Sequence, residues 1–399
     1  MKEKIKLLTE AYFQEIVAIR RYLHTIPETG SNEYKTADFI IGKLKEYGIT
    51  YQSGVAKTGI VGIISGNNPK SKVIALRADM DALPIHEANQ VDYKSKNEGV
   101  MHACGHDVHM ACLLGAAKIL NEIKNEFNGS VKLLFQPSEE KFPGGARVMI
   151  DEGVLENPSV THVFGQHVLP ELEVGKVGLK AGKYMASTDE IYITIQGKGG
   201  HAATPELYNN PLLIASHLLI ELQNEFNKHK PSDTPSVLAF GKIIGEGKTN
   251  IIPDEVKIEG TIRTFDEEWR IKAHQLINTI STTVAKSMKG NGKVVIDKGY
   301  PTLVNDERMT AKVKNFAEEF LGKENVTILD MRMTAEDFAY FSQKVPSVFY
   351  RLGIRNESKN ITSNLHTTTF NVDEDSLKTG TGLMAWIAYS ELCQLSVVH

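Results

Sequence analysis

The chain has 399 residues, of which 41% are hydrophobic and 24% charged, and its net charge is −4. A chain of this length usually forms two domains, and its charge gives no electrostatic reason to bind nucleic acid or an anionic membrane. The sequence contains only three cysteines, no signal peptide and no apolar run that could span a membrane, so we expect a cytoplasmic protein without a disulfide framework.

The first part of the chain predicts alternating helices and strands. Apolar spacing predicts two helices followed by two strands, at residues 2–24, 34–47, 59–64 and 72–76. Asp79 and Asp81 follow the second strand directly. Because open α/β sheets carry their chemistry at the carboxyl ends of strands, Asp81 is a candidate catalytic residue; a capped loop is the alternative interpretation.

Residues 101–109 read Met-His-Ala-Cys-Gly-His-Asp-Val-His. Cys104 and His106 are two residues apart, a spacing that lets a thiolate and an imidazole reach one metal ion if the backbone turns, and Gly105 makes that turn sterically cheap. Asp107 could accept a hydrogen bond from a neighbouring imidazole. A buried structural cysteine beside surface histidines would have the same sequence, so the motif alone is not decisive.

Two further strand ends carry candidate ligands. A helix over residues 107–127 leads to a buried strand at 131–135, which ends at Glu139 and Glu140; adjacent glutamates are often only solvated surface. The next strand, at 160–166, has His162 and His167 near its ends. This alternation favours a mostly parallel sheet covered on both faces.

The pattern changes over residues 183–294, which we expect to form an inserted α+β domain. Its strands alternate apolar and polar residues, as sheets with one exposed face do. The predicted order is strand, helix, strand, strand, helix, strand, at residues 190–196, 210–228, 237–244, 256–265, 266–288 and 293–297. A glycine-rich loop before the first helix presents His201.

The α/β pattern then resumes, so the first domain comprises residues 1–182 and 295–399. It continues with helices and strands at residues 307–321, 326–330, 335–344 and 347–352. A loop carrying His366 precedes a final helix from about Asp373, a candidate N-cap, to near Cys393.

Metal-ligand residue types thus recur at five places of one α/β pattern. The ends of neighbouring parallel strands converge in space, so these groups can share one site. They offer more ligands than one tetrahedral ion needs, which favours two divalent ions. Cys104 favours a softer ion such as Zn²⁺, while the oxygen ligands tolerate Mn²⁺.

Six segments together resemble a known family, at residues 77–84, 102–109, 136–140, 199–205, 250–253 and 335–338. They are similar to the metal-dependent amidohydrolases that include aminoacylase, hippurate hydrolase, N-acetyldiaminopimelate deacetylase and indole-acetyl-amino-acid hydrolase. The resemblance covers essentially the whole chain. It implies a dinuclear metallopeptidase catalytic domain with an inserted lid or dimerisation domain, and hydrolysis of N-acyl-L-amino acids.

The resemblance also assigns roles to residues. The implied metal ligands are Cys104, His106, Glu140, His167 and His366. Glu139 falls on the family's general base, and His162 then remains a strand residue. Many relatives have Ser-Pro after the final histidine, where this chain has Thr367 and Thr368, a difference that concerns the pocket wall more than the ligand.

The inserted domain supplies three more candidates. In relatives the equivalent of His201 reaches the partner's metal site, which implies a homodimer; His201 could donate to the developing oxyanion. Arg263 is a candidate clamp for the substrate α-carboxylate, because a guanidinium binds carboxylates bidentately. A surface ion pair is the alternative for Arg263, and Asn250 is a weaker candidate for the same substrate end.

Two other functions fit parts of this pattern. A dipeptidase or aminopeptidase could use the same metal site, but it needs an acidic residue for a free α-amine, and the sequence offers no clear candidate. A metal-containing protein without catalysis is the second alternative. The retained Glu139 argues against it, because a structural site has no use for an unligated carboxylate.

Overall fold

The structure is a computed structural model that describes residues 1–393. It divides into two compact units: the first contains Met1–Gly182, Val304–Asp330 and the chain from Asp337 onward, and the second contains Lys183–Leu303 and Met331–Glu336. The predicted insertion ends at residue 294, inside the last strand of the second unit, so the structural boundary lies further along the chain. No helix in the described part is long and apolar enough to cross a membrane.

The described residues contain nine α-helices and two short 3₁₀ helices at Lys124–Glu126 and Lys323–Asn325. The α-helices are α1 Lys2–Thr25, α2 Tyr34–Glu46, α3 His106–Glu122, α4 Gly145–Asp151, α5 Pro211–His229, α6 Glu267–Ser287, α7 Glu307–Leu321, α8 Ala339–Ser342 and α9 Ser376–Cys393.

The strands alternate with these helices. They are β1 Thr50–Val55, β2 Gly59–Ser65, β3 Val73–Asp79, β4 Ser130–Gln136, β5 His162–Glu173, β6 Val177–Leu179, β7 Gly182–Met185, β8 Ser187–Gln196, β9 Gly200–His201, β10 Ser236–Ile244, β11 Ile251–Ile252, β12 Glu255–Thr264, β13 Asn291–Lys298, β14 Leu303–Asn305, β15 Val326–Ile328 and β16 Ser347–Arg355.

The first unit is built on a largely parallel sheet of eight strands, in the order β1-β2-β4-β3-β5-β16-β6-β15. Its central strands β4, β3, β5 and β16 are mutually parallel, whereas β1 and β2 pair antiparallel at one edge. Every residue of β3 and β4 is buried, as expected for parallel strands covered on both faces. Helices α1, α3, α7 and α9 pack together in its hydrophobic core.

The second unit has an antiparallel sheet in the order β10-β12-β8-β13, with α5 and α6 packed on it. In β8 the side chains of Ile191, Ile193 and Ile195 are buried, while the residues between them are wholly or partly exposed. One face of this sheet therefore packs on the helices and the other faces solvent, which matches the predicted α+β arrangement.

One predicted helix was wrong, one helix begins slightly later than predicted, and one strand was missed. The predicted helix 335–344 is only the single turn α8, because the Asp337 carboxylate accepts hydrogen bonds from Arg77 and Gln136. The final helix begins at Ser376, shortly after the predicted N-cap Asp373, whose Oδ1 accepts the amide of Asp375 over 3.1 Å and whose side chain also binds Lys359 and Asn356. The antiparallel edge strand β1 was not anticipated, since its residues are mostly exposed.

Candidate metal centre

The candidate site lies where β3, β4 and β5 approach their carboxyl ends. These strands are adjacent and parallel, and Asp79 at the end of β3 lies directly opposite Gln136 at the end of β4. The loop carrying Asp81 therefore adjoins the loop carrying Glu139, and His167 lies along β5 beside them. The strand topology brings together three segments that are far apart in the sequence.

Gly105 shapes the turn between Cys104 and His106. Its φ is +83°, a conformation that other residues adopt only with strain, and it immediately precedes α3. A Cβ at this position would also lie 2.5 Å from Cγ2 of Val168. Only glycine fits this turn, which presents both the thiol and the imidazole to the same space.

The side chains predicted as ligands form overlapping groups whose donor atoms lie within 4.8 Å of one another. Cys104, His106 and His167 form one group, and Cys104 joins Glu140 and His366 in another. A third group combines His106 with Glu139 and Glu140. All five predicted ligands and the predicted base therefore meet at one place.

Backbone carbonyls fix the orientation of two of the imidazoles. Nδ1 of His106 donates to the carbonyl of Asp81 over 2.8 Å, and Nδ1 of His167 donates to its neighbour's carbonyl over 2.7 Å. Each Nε2 is then the nitrogen that can bind a metal ion. The Nε2 of His167 lies 3.4 Å from Sγ of Cys104, close to the about 3.5 Å that joins two such ligands on a tetrahedral ion.

The charges of the site fit a bound cation. Nε2 of His106 is buried and has no hydrogen-bond partner in the described chain. Burial lowers the pKa of His106, but Asp79 and Asp81 outweigh it and raise that pKa to about 10. Burial, together with Glu140 and Glu139, raises the pKa of the Cys104 thiol. A bound cation would compensate the negative charge of these carboxylates. The donor set of sulfur, nitrogen and oxygen suits a divalent metal.

His109 also lies at this site, but both of its ring nitrogens make hydrogen bonds within the protein. Its Nδ1 donates to Asp79 Oδ1 over 2.6 Å, and its Nε2 accepts from the amide of Val168 over 2.9 Å. Arg77, at 2.7 Å, binds the other oxygen of Asp79. We therefore interpret His109 and Asp79 as supports of the strand ends and not as ligands.

Asp81, predicted as a catalytic residue, holds the two glutamates in place. Its Oδ1 accepts the backbone amide of Glu139 and its Oδ2 accepts that of Glu140, each over 2.9 Å. The backbone carbonyl of Asp81 also accepts a hydrogen bond from Nδ1 of His106. Both oxygens are thus engaged with the backbone, and we assign Asp81 a positioning role in place of a catalytic one.

Two buried acids to which the sequence analysis gave no role support the same loop. Oε1 of Glu33, which has no exposed surface, accepts the amide of Ser138 over 2.8 Å, at a residue whose φ is +55°. Asp337 accepts from Arg77, Gln136 and the amide of Ala146. The Ala-Glu-Asp-Phe motif pointed to Asp337, whereas Glu33 gave no signal because its partners are distant in sequence.

His162 lies apart from these ligands. It is the first residue of β5, partly buried, with Nδ1 3.6 Å from the buried carboxylate of Glu391. His167 is five positions further along the same strand, so only one of the two histidines joins the candidate site, as the resemblance implied.

In the second unit the structure brings His201 and Asn250 together. Strand β9 pairs antiparallel with β11, where Ile251 lies opposite His201, and the carbonyl of Asn250 accepts from Ala202 over 3.1 Å. Nδ1 of the exposed His201 accepts from the amide of Ala203 over 3.1 Å. The ring proton therefore lies on Nε2, which is the tautomer that can donate a hydrogen bond outward.

Arg263 lies elsewhere in the second unit, on β12, where it is paired with Val237 and Thr188. Its half-buried side chain lines a groove of about 500 Å³ on the sheet, together with residues that include Glu190, Tyr192 and Lys242. Among the described residues it makes one long hydrogen bond, 3.4 Å from Nη1 to the carbonyl of Met333. A surface ion pair, the alternative interpretation of Arg263, is not among its described contacts, so the guanidinium can still bind an anionic group.

Comparisons with known proteins agree with this geometry. Residues 75–390 match the model of peptidase family M20/M25/M40. The chain is 38% identical to N-acetyl-L-cysteine deacetylase of Bacillus subtilis, with 91% of this chain and 85% of that protein covered. It is 37% identical to thermostable carboxypeptidase 2 of Saccharolobus solfataricus, with 95% of each covered.

A solved structure shows the same architecture. It is that of the Bacillus subtilis YXEP protein, described as a dinuclear metal-binding peptidase of this family. Its TM-score is 0.82 at 31% sequence identity, and the match covers 97% of this chain and all of that one. The fold and the clustered ligand types of this chain are therefore those of a dinuclear metallohydrolase.

Proposed function

The chain belongs to peptidase family M20/M25/M40, and from that premise we propose that it hydrolyses the amide bond of N-acyl-L-amino acids to a carboxylate and a free amino acid. The family establishes a hydrolase that acts on amides. The observation that carries the proposal is the position of Glu139, which shares a ligand-type group with His106 and Glu140 but belongs to neither of the two groups that contain Cys104.

We assign the residues the following roles. Cys104, His106, Glu140, His167 and His366 would hold two divalent ions, Zn²⁺ or Mn²⁺, which when bound activate water and polarise the scissile carbonyl.

Glu139 would act as the general base and then as the general acid. Its carboxylate takes a proton from the attacking water and returns it to the leaving amine, a role that requires an oxygen not committed to a metal. Asp81 holds the backbone of this residue in place through its Oδ1. His201 would donate from Nε2 to the developing oxyanion, the hydrogen bond for which its tautomer is already set.

The proposed substrate class follows from the second unit and from the relatives. An amino-acid product carries an α-carboxylate, and the groove that contains Arg263 offers a guanidinium for it. The deacetylase relative acts on an N-acetyl amino acid by its name. The acyl group could be acetyl, benzoyl or similar, and we propose Arg263, with Asn250 as a secondary contact, for the amino-acid end.

A peptidase is the second candidate, favoured by the carboxypeptidase among the relatives. A peptide substrate of such an enzyme also has a free α-carboxylate, so Arg263 suits it equally. A dipeptidase or an aminopeptidase would also need an acidic side chain that binds the free α-amine of its substrate. We assign no described residue to that role.

A substrate screen separates these functions. We expect the metal-reconstituted protein to hydrolyse N-acetyl-L-methionine or hippurate faster than dipeptides, and to lose activity when the ions are chelated. Released amine can be measured by ninhydrin with Zn²⁺ or Mn²⁺ supplied. Faster cleavage of unblocked dipeptides would favour the peptidase, and no hydrolysis of any amide with both ions bound would contradict both.

Replacing Arg263 by alanine should impair hydrolysis of N-acyl amino acids and hardly affect their C-terminal amides. Loss of a charge-assisted pair predicts a difference of about 2 kcal/mol in the free energy derived from kcat/KM, or about thirtyfold. Lys242→Ala is the matched control, because Lys242 lines the same groove but pairs with Glu259 at 2.7 Å. Equal losses on both substrates would show that Arg263 does not bind the carboxylate.

We further propose that the protein is a homodimer formed through the second unit. Strand β10 is an edge strand of its sheet, and it exposes the apolar side chains of Val237, Ile243 and Ile244. Helix α5 exposes Leu213 and Ile220. Open strand edges with apolar side chains commonly pair with a second chain, which fits the dimer that the family resemblance implies.

A further inference from the structure

A buried ionic cluster links helix α1 to the start of helix α3. Arg20 and His24 lie one turn apart on α1, and both are at most 1% exposed. Their common partner is Asp107, whose Oδ2 accepts from Nε of Arg20 over 2.8 Å and from Nδ1 of His24 over 2.7 Å. None of these three residues is a proposed ligand or catalytic group.

The other ring nitrogen of His24 meets a second buried carboxylate. Nε2 of His24 lies 3.2 Å from Oε1 of Glu87, which is 3% exposed. Asp107 also accepts from the guanidinium of Arg20, and the other oxygen of Glu87 accepts from the amide of Ser95 over 2.7 Å. Each ring nitrogen of His24 therefore contacts a different buried carboxylate, and the ring links Asp107 to Glu87.

Arg20, Tyr93 and His102 also surround His24. Burial and Arg20 lower the pKa of His24, but Asp107 and Glu87 outweigh them and raise it. Nη2 of Arg20 lies 3.5 Å from Nδ1, too far to compete with the 2.7 Å contact to Asp107. The rings of Tyr93 and His102 also face His24, at centroid distances of 5.7 and 6.3 Å.

The two carboxylates belong to different parts of the candidate metal centre. Asp107 directly follows His106 in the first turn of α3. The segment after Glu87 holds the loop that carries His366: the amide of Ala88 donates to the carbonyl of Thr368, and Nδ2 of Asn89 donates to the carbonyl of Phe370, each over 2.8 Å. His24 therefore bridges the two segments that present His106 and His366.

We propose that His24 is a positioning residue that fixes these two ligand-bearing segments relative to each other and so sets the affinity for the metal ions. Without the ring, Asp107 would keep Arg20 as a donor and Glu87 would keep the amide of Ser95. The hydrogen bonds that join the two segments through His24 would be lost, however, so the segments could shift relative to each other. The proposal rests on the metal centre assigned above.

The first test measures metal affinity. We expect His24→Gln to bind Zn²⁺ about tenfold more weakly than the unchanged protein in competition with a chelator, since supporting residues of metal sites commonly contribute this much. Arg21→Gln is the matched control on the same helix, because Arg21 is half exposed and binds Glu374 at the surface. Unchanged affinity in folded His24→Gln protein would overturn the proposal.

A second variant keeps the test decisive if His24→Gln does not fold. We expect Glu87→Gln alone to weaken Zn²⁺ binding severalfold, and wild-type affinity in this variant would contradict the bridge. Where both variants fold, the double variant should bind no more weakly than His24→Gln, because both changes remove the same contact. A loss equal to the product of the two single losses would mean that the residues act separately.

Nitrogen NMR of the Zn²⁺ form observes the two ring nitrogens of His24 directly. A general loss of stability would not change this measurement. The signals lost in His24→Gln should show both ring nitrogens in hydrogen bonds, and a ring nitrogen without a hydrogen bond there would overturn the proposal. Cys104→Ser tests the underlying centre separately. If it leaves the Zn²⁺ stoichiometry and affinity unchanged, the ligand assignment has failed, whereas lost binding in Cys104→Ser with unchanged binding in His24→Gln rejects only the role of His24.

Discussion

Replacing Glu139 by glutamine is expected to lower kcat by about 10²- to 10⁴-fold while both metal ions stay bound. Glutamine has nearly the same shape but cannot take a proton from water at neutral pH. The backbone amide of residue 139 can still donate to Asp81, so the loop should keep its conformation. Turnover of N-acetyl-L-methionine and metal content by elemental analysis are the two measurements.

Glu140→Gln is the matched control, because the two glutamates are adjacent and both backbone amides bind Asp81. It should lose metal, since Glu140 also groups with Cys104 and His366 and its Oε1 lies 3.2 Å from Nε2 of His366. If Glu139→Gln instead loses metal and keeps its rate per bound ion, the roles of the two glutamates are reversed.

Mixing two inactive variants is expected to restore about a quarter of the wild-type activity. The variants are Glu139→Gln and His201→Ala, the second of which should lose about 10²- to 10³-fold through its oxyanion contact. If His201 serves the partner's site, a mixed dimer has one intact site. Random pairing makes half of the dimers mixed, and one of their two sites works, which gives the quarter.

Subunit exchange must be verified for this result to count. Differently tagged subunits that co-purify after mixing show that exchange has occurred, and each variant mixed with wild type shows that neither poisons its partner. Exchange without restored activity would mean that His201 acts within its own subunit or not in catalysis. A monomer in analytical ultracentrifugation would contradict the dimer itself.

The sequence by itself determined the alternation of elements and the residue types of the site. Short, mostly apolar runs such as β3 and β4 indicate strands buried on both faces, and alternating runs such as β8 indicate half-exposed ones. The parallel arrangement then follows from the helices between the strands. The motif around Cys104 identified the ligand segment because Gly105 has a local role: its turn needs a positive φ.

Only the tertiary structure decided what each polar side chain does there. Asp81 looked like a catalytic acid, yet both its oxygens hold backbone amides, because the β4 loop folds against it. Glu33 and His24 gave no signal, since their partners lie 105 and 83 residues away in the chain. A hydrogen-bond partner brought in by folding leaves no pattern of spacing, whereas hydrophobic periodicity and steric need are local and can be read from the sequence.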